Sequence, residues 1–201
     1  LADFIKDEVE ANKYLDKPAV TADGETYHIG LNIGAAEPDE SIKFADFVGL
    51  FRTEFLYIES DLMPKEEEKF TAYQRVLANM MGKPVTLRTL DIGGDKSLKY
   101  MTLPQEDNPF LGNRALRLCL SLSDLFKSGL RAALRASAFG ELLIMFPMVG
   151  TIDDIRNAKA VVDDVKSELR SESIPFNEVF KIGIMIEIPS IALVADIAAS
   201  E

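Results

Sequence analysis

The stretch Leu142-Leu143-Ile144-Met145-Phe146-Pro147-Met148-Val149, followed by Gly150-Thr151-Ile152-Asp153-Asp154-Ile155, decides the fold class. A run of uncharged apolar residues suits a strand buried on both faces rather than one with a solvated side. Thr151 and Asp154 stand at the spacing of a capping box, which starts a helix. That helix keeps Ile155, Ala158, Val162, Val165 and Leu169 on one face. A buried strand feeding an amphipathic helix is the repeating unit of a parallel sheet.

Outward from this unit the alternation repeats. Upstream, Phe47 to Glu54 reads as a strand. Pro64 opens a helix with Glu66, Glu67 and Glu68 in its first turn, where the helix dipole favours anions. Phe70, Tyr73, Val76, Leu77 and Met80 form its apolar stripe, Gly82 is its stop, and Lys65 to Lys69 reads as a solvated helix start. Pro84 to Gly94 reads as strand and glycine turn. Asp95 to Leu111 reads as a long loop, and loops of that length in compact domains tend to serve function. Helices follow at 113–120 and 123–139. Ile182 to Ile188 forms a fifth strand, and Pro189 begins a closing helix. At the start, Asp3 to Leu15 reads as a polar helix. Ala19–Thr21 and Glu25–Ile33 read as strands around Asp23-Gly24, and Pro38 begins a short helix to Asp46.

This order predicts an α/β fold with a parallel sheet and helical crossovers. Either an open doubly wound sheet or a β/α barrel satisfies it. Neither a G-x-G-x-x-G nor a Walker loop is present, so a nucleotide-binding sheet lacks its usual mark. A complete barrel needs eight strands and about 250 residues. About five strands in 201 residues make an incomplete β/α (TIM-type) barrel. Residues 1–24 are assigned to a linker helix and hairpin start, and 25–201 to the N-terminal part of the barrel. The chain begins with Leu and its last segment, from Ser190, is helical with no Gly or Pro stop, so a piece of a longer chain is expected.

Composition narrows the function. With 47% apolar and 27% charged residues the chain is an ordinary globular protein rather than a disordered one or a disulfide scaffold. No apolar run approaches the ~20 residues of a membrane span. The single cysteine, Cys119, fits a reducing, cytoplasmic compartment and, flanked by Leu118 and Leu120, an inert core position. A net charge of −11 argues against nucleic acid as a partner. His28, the only histidine, lies in a predicted strand and has no Ser or Cys in a catalytic pattern, so a structural role is expected.

Three polar residues interrupt apolar strands. Arg52 ends one, Arg88 lies within Val85-Thr86-Leu87-Arg88-Thr89-Leu90-Asp91, and Glu187 sits between Ile186 and Ile188. Burying any of them alone is costly, so each needs a partner. Each also lies near the carboxyl end of its strand, where sites of β/α folds form. Alternation places Ile182, Ile184, Ile186 and Ile188 against helices and Glu187 on the barrel interior. Two arginines suit bidentate grip of a phosphate or carboxylate, and a carboxylate suits a hard metal ion. Chemistry alone leaves open that the arginines simply pair with Glu54, Asp91 or Glu187, and that Gly93-Gly94 is a plain turn.

At these residues the sequence resembles a known family. Gly49-Leu-Phe-Arg-Thr-Glu-Phe-Leu56, Leu87-Arg-Thr-Leu-Asp-Ile-Gly-Gly-Asp-Lys96, Asn108-Pro-Phe-Leu-Gly-Asn-Arg114, Leu134-Arg-Ala-Ser-Ala-Phe-Gly140, Ile144-Met-Phe-Pro-Met148 and Glu187-Ile-Pro189 are similar to motifs of the phosphoenolpyruvate-binding domain of the Enzyme I family. These are the phosphoenolpyruvate–protein phosphotransferases of bacterial sugar uptake. Pyruvate phosphate dikinase and phosphoenolpyruvate synthase are more distant relatives. The resemblance runs from about His28 to the end.

What the resemblance implies is a β/α barrel in which Arg52 and Arg88 hold the phosphate of phosphoenolpyruvate. Glu187 matches a carboxylate ligand of Mg²⁺, and Arg114 a motif arginine at the same mouth. In the family the phosphoryl group passes to a histidine on a separate domain and on to a small histidine-bearing phosphocarrier protein, and the domain dimerises. This chain carries no catalytic residue of its own. The phosphorylated histidine, a second metal-binding Asp, a further arginine and a proton-donating cysteine are absent, so the fragment alone is expected to be inactive and to hold metal weakly. Two alternatives are a homodimerisation or interaction module without catalysis and another phosphoenolpyruvate- or pyruvate-using barrel enzyme.

Overall fold

A computed structural model describes residues 9–10, 12–34, 40–94, 96, 98–101, 103 and 106–201, apart from the side chains of residues 40 and 41. Most of the predicted N-terminal helix, Pro38, Asp95 and Pro104 lie outside the described residues. Seven strands are described: β1 (Ala19–Val20), β2 (Thr26–Tyr27), β3 (Gly30–Ile33), β4 (Phe47–Arg52), β5 (Val85–Arg88), β6 (Leu142–Phe146) and β7 (Lys181–Ile184). The helices are α1 (Glu54–Ile58), α2 (Glu66–Asn79), α3 (Ala115–Ser121), α4 (Ser123–Ala136), α5 (Ile152–Ser171), α6 (Pro189–Ala192) and α7 (Ala195–Ala199), with 3-10 turns at Glu40–Phe44 and Ser137–Phe139.

β1 and β2 form a small antiparallel pair around Asp23-Gly24. β3 to β7 form one parallel five-stranded sheet in strict sequence order. A doubly wound sheet reverses its strand order at a switch point, and this one does not. The order is that of a β/α barrel, and the sheet is not closed.

The helices cover one face. Val48, Phe51, Val85, Leu87, Leu142, Ile144 and Phe146 are buried with Tyr73, Val76, Leu77, Leu130, Leu134, Ala158, Val162 and Val165 in one cluster. The opposite face is more open: Leu143 and Met145 alternate as half-buried residues within β6. The unbroken apolar run is therefore not buried equally on both sides.

α5 starts as its sequence requires. The Thr151 hydroxyl accepts the Asp154 N–H at 3.1 Å, while Asp154 accepts the Thr151 N–H at 2.9 Å. Its five predicted inward residues are all buried. α2 begins at Glu66, two residues after Pro64.

The Lys65–Lys69 run departs from a solvated helix start. Lys69 is 1% exposed, and its ammonium donates to Ser128 Oγ of α4 at 2.6 Å. Glu66 takes Arg131 at 2.9 Å and Arg135 at 2.7 Å, also from α4. Lys69 precedes Tyr73 by one helical repeat, so it shares the buried stripe and needs a partner there.

Other boundaries move for local reasons. Glu25–Ile33 divides between β2, which joins the hairpin, and β3, which joins the main sheet. The strand from Phe47 ends at Arg52, because Glu54 already begins α1. β7 stops at Ile184 and has a strand on one side only. Ile186 is accordingly 59% exposed instead of packed against helices.

Candidate functional site

Strand register brings the two predicted arginines together. Arg52 ends β4, Arg88 ends β5, and they are direct partners in the parallel ladder. Adjacent strands lie about 4.8 Å apart, so two guanidinium stems rise side by side at the carboxyl edge.

An irregularity in β4 puts them on one face. Val48 pairs with Val85 but Phe51 pairs with Leu87, so β4 spends one more residue than β5 over this span. The same extra residue appears against β3, where Leu31 pairs with Val48 and Asn32 with Leu50. This is a β-bulge at Gly49-Leu50. Without it, Arg52 would share the helix-facing side of Val48, which is fully buried. With it, Phe51 takes the helix side and Arg52 joins Arg88 on the open side.

The two arginines differ in what holds them. Arg88 is buried. Its Nη2 donates to Glu54 Oε1 and lies 3.2 Å from Asp91 Oδ2, while Nη1 approaches Met185 Sδ at 3.7 Å. Arg52 is half-buried and, among the described residues, makes no hydrogen bond or ion pair.

Further residues complete a charged cluster. Lys96 donates to Glu54 Oε1 at 3.0 Å and to Asp91 Oδ2 at 3.1 Å. Arg114 donates to Asp91 Oδ1 at 3.0 Å and stacks over Phe110, with its guanidinium 5.4 Å from the ring centre. Arg88 Nε, Arg114 Nε and Glu54 Oε2 are buried without a hydrogen-bond partner. The Thr53 hydroxyl donates to the Arg88 carbonyl at 2.9 Å and ties the ends of β4 and β5.

Burial pushes the Asp91 carboxyl up, but Arg114, Arg88 and Lys96 outweigh it and hold the group below its ordinary value. Four cations, Arg52, Arg88, Lys96 and Arg114, thus stand with two carboxylates, Glu54 and Asp91, leaving the cluster cationic in a protein of net charge −11.

Gly93 explains how Arg114 reaches Asp91. Its φ is +103°, and a Cβ there would lie 2.7 Å from Arg114 Cβ. Glycine is needed both for the conformation and for the approach. The Ala115 N–H then donates to the Ile92 carbonyl at 2.9 Å, pinning the start of α3 to the exit of β5.

Glu187 stands beyond the end of β7, on the same edge of the sheet, and is exposed. The Met185 N–H continues the ladder to Phe146 at 2.9 Å. The Met148 N–H, from a residue with φ +55°, donates to Glu187 Oε1 at 2.6 Å. Glu187 pairs with none of the cluster's arginines among the described residues. Arg52, Arg88 and Arg114 come together as expected, and Glu187 is a neighbour on the rim rather than a member.

Among the described residues, no group of three or more His, Cys, Asp or Glu is arranged to hold a metal. His28 is exposed, its Nδ1 3.8 Å from Asp46, outside the predicted strand. Cys119 is buried, and burial pushes its thiol up to about 12. No helix among the described residues is long and apolar enough to cross a membrane.

Lys96 and the bracing role of Glu54 and Asp91 were the residues that sequence patterning alone did not single out. The signal was there in Asp91-Ile92-Gly93-Gly94 and Lys96, because a glycine turn directly after a strand carrying a buried arginine can fold a lysine back toward that arginine's counter-ions.

A family profile described as "PEP-utilising enzyme, PEP-binding domain" matches residues 8–201. A phosphoenolpyruvate-protein phosphotransferase of Priestia megaterium is 47% identical over 202 residues, covering 100% of this chain and 35% of the relative. Proteins of the same name from Staphylococcus carnosus (strain TM300) and Staphylococcus aureus are 51% and 49% identical, each over 98% of this chain and 35% of the relative. The chain thus spans about a third of the length of the curated relatives it matches.

Proposed function

The chain belongs to the phosphoenolpyruvate-utilising enzymes, as part of their phosphoenolpyruvate-binding domain, and on that premise we propose that Arg52 and Arg88 grip the phosphoryl group of phosphoenolpyruvate. One observation carries this reading. Two arginines are ladder partners on the open face at the carboxyl edge of a parallel sheet, and one of them has no partner of its own. A planar guanidinium offers paired N–H donors that match two phosphate oxygens, and its charge persists at any working pH. Arg114 and Lys96 add charge at the same mouth, so a dianion entering here meets an excess of cations.

In the parent enzyme, this proposal continues, the phosphoryl group moves to an enzyme histidine outside this chain and then to a histidine-bearing carrier protein. The chain's own work is to bind, orient and neutralise the donor, which supplies much of the catalysis in phosphoryl transfer. The protein is read as cytoplasmic and the parent as a homodimer, a reading supported by apolar side chains exposed around β7, among them Val179 and Ile186.

Magnesium fits the residues present in part. Mg²⁺ is commonly held by one or two carboxylates together with water and substrate phosphate. Glu187, an exposed carboxylate on the same rim, would supply one such ligand. When bound, the ion would neutralise phosphoryl oxygens alongside the arginines.

The test is an NMR titration of this chain with phosphoenolpyruvate, with and without Mg²⁺, beside Arg52→Ala. Weak binding that Arg52→Ala abolishes, at unchanged stability, is the expected result. Binding that is indifferent to Arg52→Ala would overturn the assignment.

A further inference from the structure

The carboxylates of Glu54 and Asp91 are unused by the proposed chemistry, yet both are almost fully buried: Glu54 is 1% and Asp91 5% exposed. Burying two carboxylates is costly unless they are paired. Between them they hold every cation of the cluster except Arg52. One Glu54 oxygen takes Arg88 and Lys96, one Asp91 oxygen takes the same two, and the other Asp91 oxygen takes Arg114.

The pairing is incomplete in a specific way. Each guanidinium is held by Nη2, while Nε of Arg88 and Nε of Arg114 are buried with no partner. An arginine needed only to neutralise a carboxylate would gain most from the two-pronged contact, with all facing donors engaged. Here each cation is clamped at one nitrogen and keeps donors in reserve.

Resting on the phosphate-gripping reading above, we propose that Glu54 and Asp91 are positioning residues: a two-carboxylate bracket that fixes Arg88, Lys96 and Arg114 in the orientation from which their remaining donors meet an oxyanion. The bracket joins three separate pieces of chain. Glu54 comes from the first turn of α1, Asp91 follows β5, and Lys96 lies beyond the Gly93-Gly94 turn. Fixing them beforehand removes side-chain entropy that binding would otherwise have to overcome, about 0.5–1.5 kcal/mol for each long side chain.

The competing account has the opposite sign. If the carboxylates merely occupied the cations in the absence of ligand, removing one would raise the local positive potential and tighten anion binding. The bracket predicts weaker binding.

The experiment titrates inorganic phosphate into this chain and into Glu54→Gln, Asp91→Asn and Asp91→Glu, following arginine Nε–Hε resonances. Phosphate binding tenfold or more weaker in Glu54→Gln and Asp91→Asn, with partial recovery in Asp91→Glu, is expected. The arginine signals should report the geometry without any ligand: Asp91→Asn releases Arg114 into fast solvent exchange, and Glu54→Gln leaves Arg114 protected. Equal or tighter phosphate binding in either amide variant, with the fold intact, overturns the bracket. So does an Arg114 signal unchanged by Asp91→Asn. Arg52→Ala, which touches neither carboxylate, separates the two proposals. If the parent chain binds no phosphate, or binds it regardless of Arg52, the phosphate-gripping reading fails, and the ligand-free exchange data still decide whether the bracket exists.

Discussion

Replacing Lys69 by methionine should stabilise the protein and remove an alkaline rise in its stability. Lys69 is 1% exposed between α2 and α4, with Ser128 Oγ as hydrogen-bond partner and the Tyr57 ring 5.5 Å away. Burial lowers its ammonium from 10.5 to about 8, against the smaller upward pull of Glu66 and Glu68. At about 1.36 kcal/mol per unit, holding the charge in this interface costs on the order of 3 kcal/mol at neutral pH. Methionine keeps the length and apolar contact of the stem but leaves Ser128 without its donor, a loss of about 1 kcal/mol. The net expectation is a gain of about 2 kcal/mol near pH 7.

The sign with pH follows from linkage. The folded group loses its proton near 8 and the unfolded one near 10.5, so in between the unfolded state binds more protons and stability rises with pH. From about pH 7 to 9.5 this amounts to roughly 2 kcal/mol. Buried Cys119, pushed up to about 12, works in the opposite direction as the unfolded thiol ionises, and it cancels when the variant is subtracted. The chain has no tryptophan, so urea unfolding is best followed by circular dichroism at several pH values. A difference between parent and Lys69→Met that stays flat from neutral to alkaline pH, or a destabilised variant, refutes the reasoning.

Two further predictions concern the cluster itself. Gly93→Ala must place a Cβ 2.7 Å from Arg114 Cβ at a φ of +103°, and should cost about 1–3 kcal/mol in urea unfolding while displacing Arg114. A thermal midpoint unchanged from the parent would show that this turn relaxes freely. Asp91, with its carboxyl held below the ordinary value, contributes stability that is present above about pH 4 and lost as pH falls through its folded value. Acid titration of the parent should therefore fall more steeply than that of Asp91→Asn below about pH 4, and parallel curves would contradict the ion pairs.

Much of this architecture was legible in the residues. The α5 stripe and its capping box name their own buried positions because one helical period and one side-chain-to-backbone contact suffice to set them. The parallel order follows from apolar strands alternating with such helices, and Arg52 and Arg88 were conspicuous as charges where strands otherwise carry apolar groups. Their meeting on one face was not legible from alternation alone, since the bulge at Gly49-Leu50 is fixed by pairing with β3 and β5. A glycine inside a strand was the only local hint. Lys69 was misplaced because charge was weighed above period. Its position one turn before Tyr73 puts it on the buried stripe, and only the packing of α4 supplies Ser128 to receive it. Glu187 kept its place at the rim but not its expected neighbours, because β7 ends before reaching it and a backbone N–H takes its carboxylate.

The odd residue in β4 also limits how this segment can be reused. Deleting Gly49, or grafting Phe51-Arg52 onto a regular strand of another scaffold, would invert the parity of everything that follows and deliver a guanidinium to the oily side of the sheet. Anyone transplanting the paired arginines would have to carry that irregularity with them.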